Sequence, residues 1–164
     1  MKHGLLFALT PMFFAATAIA DHGSQRLFAQ LRPVNQVPSV ETNATGEFRA
    51  TIAADESSIN FRVTFSNVSA DLMQAHIHIG QFFANGGVSA FLCGGGGQPG
   101  CPTGASGTFS GLITSANVVG PADQGVAAAD FAKLVRAIRR GVTYANLHNA
   151  TFPAGEIRGQ IVAL

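Results

Sequence analysis

Apolar and polar residues alternate one by one through stretch after stretch of this chain, and each stretch ends in glycine, proline or small polar residues. Successive side chains of an extended strand point to opposite faces, so a period of two commits a segment to a half-buried β-strand. Phe48, Ala50, Ile52 and Ala54 fall on one face, with Glu47, Arg49 and Thr51 on the other. Ile59, Phe61, Val63 and Phe65 repeat the pattern against Asn60, Arg62 and Thr64. Asp55–Ser58 between them is turn-like, which makes the two segments a hairpin. Further strands are expected at Leu27–Leu31, Ala75–Ile79, Val88–Leu92, Phe109–Ile113, Val142–Leu147 and Ile157–Val162. Seven or eight short strands joined by Gly-rich turns predict an all-β chain, folded as an antiparallel β-sandwich.

One stretch breaks the period. Phe131, Leu134, Val135 and Ile138 recur at i, i+3, i+4 and i+7, which predicts one inserted amphipathic helix over Ala127–Arg140, closed by Gly141. Lys133, Arg136, Arg139 and Arg140 occupy its other face and crowd its C-terminal end, where the helix dipole favours cations. A solvated face packed on a sheet end explains these cations better than a patch for an anionic partner.

Residues 1–20 read as a cleavable signal peptide. Lys2 supplies the positive start, Leu5–Ala20 is almost wholly apolar, and Ala18-Ile19-Ala20 places small residues at the cleavage positions. Cleavage is expected before Asp21, leaving 21–26 as an N-terminal extension and 27–164 as one domain. The export route makes the chain secreted or periplasmic. After residue 20 no apolar run is long enough to span a bilayer. Ten Lys and Arg against nine Asp and Glu give no electrostatic reason to seek nucleic acid or an anionic membrane. A hydrophobic fraction of 47% with only 12% charged residues excludes intrinsic disorder.

Export also decides how the two cysteines are read. Cys93 and Cys101 bracket a glycine-rich segment, and in an oxidising compartment they are expected to join in a disulfide. Three Asn-X-Ser/Thr sequons begin at Asn43, Asn67 and Asn149, and they carry no information without a known host. The G-x-S-x-G elbow, the phosphate loop and the HExxH helix are all absent from the sequence.

Four separated stretches, taken in order, resemble a known family. Phe28-Ala29-Gln30-Leu31 leads into Asn35-Gln36-Val37-Pro38-Ser39-Val40 and then Ala44-Thr45-Gly46. Ala75-His76-Ile77-His78-Ile79-Gly80 is followed by Asn85-Gly86-Gly87-Val88, and Tyr144-Ala145-Asn146-Leu147-His148 precedes Pro153-Ala154-Gly155-Glu156-Ile157-Arg158-Gly159-Gln160-Ile161. This order resembles the CHRD family, the domain repeated in chordin and found singly in exported microbial proteins. The resemblance covers Leu27–Leu164 and implies an extracellular β-sandwich module, with the Cys93–Cys101 loop and the 126–140 segment as insertions. In chordin the repeats belong to a protein that binds growth factors. No residue set here matches a known binding surface for that.

The chemistry available to the chain is in its histidines. His76 and His78 are two apart on an expected strand, so both rings leave the same face while Ala75, Ile77 and Ile79 face the core. Two imidazoles at that spacing can chelate copper or zinc, and His148 becomes a third ligand if its strand lies alongside. The H-x-H strand is similar to one in copper/zinc superoxide dismutase, whose sandwich is of the same general type as the Ig-like one. A fourth ligand, a bridging histidine and a zinc-site set are missing, and the other histidine beyond residue 20 is His22. The competing role for the three rings is structural, holding strand ends through Asn146, Glu156 or loop carbonyls. Glu156 and Arg158 are expected to make a cross-strand charge contact. The sequence therefore favours an exported, non-enzymatic module that binds an extracellular protein or small ligand, or serves in a matrix. The alternative is a copper- or zinc-binding protein or metal-dependent oxidoreductase built on His76, His78 and His148.

Overall fold

The alternating segments become two antiparallel sheets laid face to face. The computed structural model describes residues 23–164, so the expected signal peptide, its cleavage point and His22 lie outside the described residues. The strands are β1 (Gln25–Leu31), β2 (Thr45–Ile52), β3 (Ile59–Ser66), β4 (Leu72–Ile79), β5 (Val88–Cys93), β6 (Gly107–Ile113), β7 (Thr143–Asn149), β8 (Ile157–Gln160) and β9 (Val162–Ala163). They form a five-stranded sheet in the order β6-β3-β2-β1-β9 and a four-stranded sheet in the order β5-β4-β7-β8. The expected all-β sandwich is what forms.

The expected hairpin is present, and its register sets Phe48 opposite Val63 and Ile52 opposite Ile59. The inward side chains of its strands are buried, Phe48, Ile59 and Val63 with no measurable exposure, while Ala54 is exposed in the turn beyond β2. Ala75, Ile77, Leu92, Ala145, Leu147 and Ile157 supply the opposing layer from the second sheet, and one apolar cluster joins both. Burial of this kind is the main favourable term in folding a chain of this size.

Two expectations need correction. The stretch Ile157–Val162 is two strands rather than one. β8 pairs with β7 in the second sheet, the buried Ile161 turns the chain, and β9 pairs with β1 in the first. Pattern alone misses this, because an alternating run looks the same whether its hydrogen bonds go to one sheet or two. The helix, α1, is also shorter than its periodic pattern, running Phe131–Arg139. Asp130 starts it by accepting a hydrogen bond from the Lys133 amide, and Ala129 sits at φ 65°, outside helical geometry. Gly141 at φ 68° ends it, in a conformation other residues resist. Phe131, Leu134, Val135 and Ile138 join the core, while Lys133 pairs with Asp130 and Arg139 with Glu56. The basic face is therefore partly neutralised by the chain itself.

Cys93 and Cys101 are bonded, with Cα atoms 4.9 Å apart. Their loop is further held by Gly94 N–H to Pro99 O at 2.8 Å, and by the Gln98 amide donating to Leu112 O at 2.8 Å.

Candidate functional site

Strand alternation sends His76 and His78 of β4 away from the inter-sheet core, onto the outer face of the second sheet. On β7 the residues sharing that face are Tyr144, Asn146 and His148. The register sets His76 beside Asn146, His78 beside Tyr144 and Gln74 beside His148. His148 is thus the diagonal neighbour of His76, within reach of a ring. On the other side of β4, Phe91 of β5 stands opposite His76. The strands do meet as the sequence required, and all three histidines come together. Ring centroids are 4.8 Å apart for His76 and His148, 5.3 Å for His76 and His78, and 5.8 Å for His78 and His148.

An outer sheet face is normally wet, yet His76 is only 4% exposed and His78 only 7%. Segments packed over the sheet cause this. The Gln36 amide donates to Asn146 Oδ1 at 2.7 Å, tying the 33–40 segment down. Asn85 donates to Val37 O at 2.9 Å and accepts from Arg158 Nη1 at 3.0 Å, linking the 80–87 loop to both that segment and β8. The Arg158 guanidinium lies 4.3 Å over the Tyr144 ring, and Tyr144 stacks at 4.7 Å, nearly parallel, on His78. The Phe91 ring meets His76 edge-on at 4.4 Å. Gly95 and Gly96 of the disulfide loop back that ring so closely that a Cβ on either would come within 2.6 Å of it.

The bonding fixes the tautomers. His78 Nδ1 donates to Gly86 O at 3.0 Å, and His148 Nδ1 donates to Pro153 O at 3.1 Å. Both rings therefore carry their lone pair on Nε2. His76 Nδ1 lies 3.2 Å from His148 Nε2, so His76 must be the donor in that pair. The Nε2 atoms of His76 and His78 are buried with no hydrogen-bond partner among the described residues. Burial and the neighbouring His148 and His78 hold His76 down to a pKa of about 3. Burial likewise lowers His78 to about 4, against the raising influence of the Gly86 carbonyl, and lowers His148 in the same direction. All three rings are neutral at physiological pH, and one nitrogen from each lies within 4.8 Å of the others. Neutral imidazoles with free lone pairs can accept a proton, a hydrogen bond or a borderline metal ion.

Of the partners the sequence suggested for the rings, the loop carbonyls are found, while Asn146 and Glu156 bond elsewhere. Loop carbonyls orient the rings, while Asn146 bonds Gln36 and the Ala154 carbonyl instead. Glu156 and Arg158 make no ion pair with each other. Glu156 is fully buried and accepts from Ser69 N at 3.0 Å, from Ser69 Oγ at 2.6 Å and from the Asn149 amide. Arg158 instead serves the Tyr144 stack. Glu156 follows a β-turn over Phe152–Gly155, closed by Gly155 N–H to Phe152 O at 3.0 Å, with the glycine at φ 118°. The Asn149 sequon is part of this buried bonding rather than of the surface. Sequence reasoning missed Gln36, Phe91 and the roles of Tyr144 and Arg158. Gln36 and Tyr144 were visible only as letters within the motifs, Arg158 was read as a partner for Glu156, and Phe91 lay outside them.

These motifs from distant parts of the chain close over one face of one sheet. A family profile described as the CHRD domain matches residues 27–161. No curated protein and no solved structure matches the chain.

Proposed function

The chain belongs to the CHRD-domain family, and from that premise we propose that it works outside the cytoplasm as a non-enzymatic binding or matrix module. The observation that carries this reading is how the family stretches are used. Residues 33–38, 76–88, 144–148 and 153–160 bond one another over the second sheet and bury His76 and His78 beneath them. Surface depressions are lined by Arg26, Arg49 and Arg62 on the first sheet, and by Lys133 and Arg136 of the helix with Arg140 at its C-terminal cap. A substrate would need a way to the histidines, and Phe91, Tyr144 and the covering loops stand in it. A rigid, loop-covered sandwich suits display of a surface to a partner, either an extracellular protein or a small ligand.

Export is supported by the bonded cysteines and by the extracellular setting typical of CHRD domains. Among the described residues no helix is long and apolar enough to cross a membrane. The test is to express the gene from its own start and sequence the N-terminus of the mature product. A chain beginning at Asp21 in the periplasm or medium is expected. Cytoplasmic protein that retains residues 1–20 would overturn export. Turnover in a hydrolase or oxidoreductase screen that disappears in His76→Ala would overturn the non-enzymatic reading.

A further inference from the structure

We propose that His76, His78 and His148 together bind one copper or zinc ion. This goes beyond a display role, and it stands whether or not the chain is exported. Three observations point the same way. Three neutral imidazoles from two adjacent strands each aim a nitrogen into one small volume, with all three atoms within 4.8 Å. Two of the rings are more than nine-tenths buried and carry Nε2 atoms with no hydrogen-bond partner among the described residues. A buried acceptor left unpaired is costly, and a chain keeps two side by side only where something else meets them. Finally, His78 and His148 each donate Nδ1–H to a backbone carbonyl, which locks the ring and directs the Nε2 lone pair inward. That is how metal-ligating histidines are held.

The dimensions suit an ion of this class. Bonds of about 2.0–2.1 Å to each nitrogen need those atoms roughly 3.4–3.6 Å apart. His76 Nδ1 and His148 Nε2 are already at 3.2 Å, and the longest separation has to close by about 1 Å. Entry is from the side of His148, which is only partly covered. Imidazole donors without a carboxylate select copper and zinc over calcium or magnesium, which take oxygen ligands. Binding also removes the proton from the line between His76 and His148, so the His76 ring turns to bring its free Nε2 lone pair to the ion in the place its Nδ1 now holds.

The experiment uses untagged protein stripped with chelator, then titrated separately with zinc sulfate and copper sulfate by calorimetry. One ion per chain is expected. His76→Ala and His78→Ala should abolish uptake, while His148→Asn should weaken it by at least the 10- to 100-fold that loss of an outer hydrogen-bond partner costs. His22→Ala, which removes the remaining histidine beyond residue 20, should leave the zinc affinity unchanged. Tyr144 is the single tyrosine in a chain without tryptophan, and it stacks on His78. Copper should therefore quench its emission in step with the calorimetric binding. X-ray absorption of the loaded wild type should show three imidazole nitrogens, and it decides the matter if an alanine variant does not fold. Failure of the wild type to bind, equal binding by His76→Ala, or fewer than three imidazoles around the metal would overturn the proposal and leave the rings structural.

Discussion

His76 and His78 are buried with free lone pairs, and that places a proton-linked cost at two named atoms. Their folded pKa values, about 3 and about 4, lie below the ordinary histidine value because burial disfavours the charged ring. Above pH 6.5 the rings are neutral in both folded and unfolded chains, so their contribution is constant. As the pH falls below that, the unfolded chain takes up protons that the folded one refuses, and stability drops until the folded values are reached. Urea unfolding of chelator-treated protein between pH 7.5 and 5, above the range where carboxylates titrate, should show this fall. The double variant His76→Gln, His78→Gln should show a shallower one, and equal slopes would contradict the assignment. Glu156 offers a different test. It accepts from Ser69 and Asn149 with no cation beside it, so Glu156→Gln turns an acceptor into a donor facing donors. A loss of about 1–3 kcal/mol in denaturant unfolding is expected. Of this chemistry, the paired histidines were legible, because i, i+2 spacing on a strand fixes a shared face. The carbonyls of Gly86 and Pro153 were not, since any residue's backbone could have supplied them.

At the level of elements, glycine spacing separates what the strands need from what the loops tolerate. Gly159 of β8 passes so close to β1 that a Cβ would fall 2.1 Å from Gln30 O. Backbone cannot yield as a side chain can, so Gly159→Ala should cost about 3 kcal/mol or prevent folding. Gly100, in the disulfide loop, has open space around its Cβ position, and Gly100→Ala should stay within about 0.5 kcal/mol. Thermal unfolding of the two variants side by side checks the contrast. The disulfide closes a short loop, so Cys93→Ser with Cys101→Ser should cost on the order of 2–3 kcal/mol and leave the far-UV spectrum intact. Because that loop backs Phe91, and Phe91 meets His76, the same variant should shift the His76 ring resonances while leaving core methyl signals of β2 and β3 in place. Most strands were readable in advance because one of their faces is dry. β4 alternates too, but both of its faces are covered near the histidines, so its polar positions looked solvent-facing when they are not. The helix start was misplaced by four residues because Ala127 and Ala128 are apolar enough to extend the pattern, while Asp130 caps later.

For the molecule as a whole, the chain's path argues for a single cooperative unit. β8 and β9 are separated by one residue, yet they belong to different sheets, so neither sheet can leave without pulling on the other. Arg32 and Arg158 exchange backbone hydrogen bonds at 3.0 and 3.3 Å where β1 and β8 approach, bridging the layers along one side. Strand order could not be read from the pattern, because alternation tells which face is buried and not which neighbour pairs. That order makes sheet one depend on both ends of the chain: β1 near the start of the described residues and β9 at the end. Two probes report on different layers. Tyr144 emission senses the outer face of the second sheet, where the ring lies between Arg158 and His78, while far-UV dichroism averages over both sheets. If the handover at Ile161 and the shared core couple the layers, both probes should give one urea midpoint, as a two-state domain of this size does. Should the layers be independent, Tyr144 would change at a lower urea concentration than the dichroism, leaving a plateau in which the first sheet persists alone. Removing the final three residues, and with them β9, separates the two cases further. In the coupled molecule it lowers both midpoints together, and in the uncoupled one it moves only the dichroism.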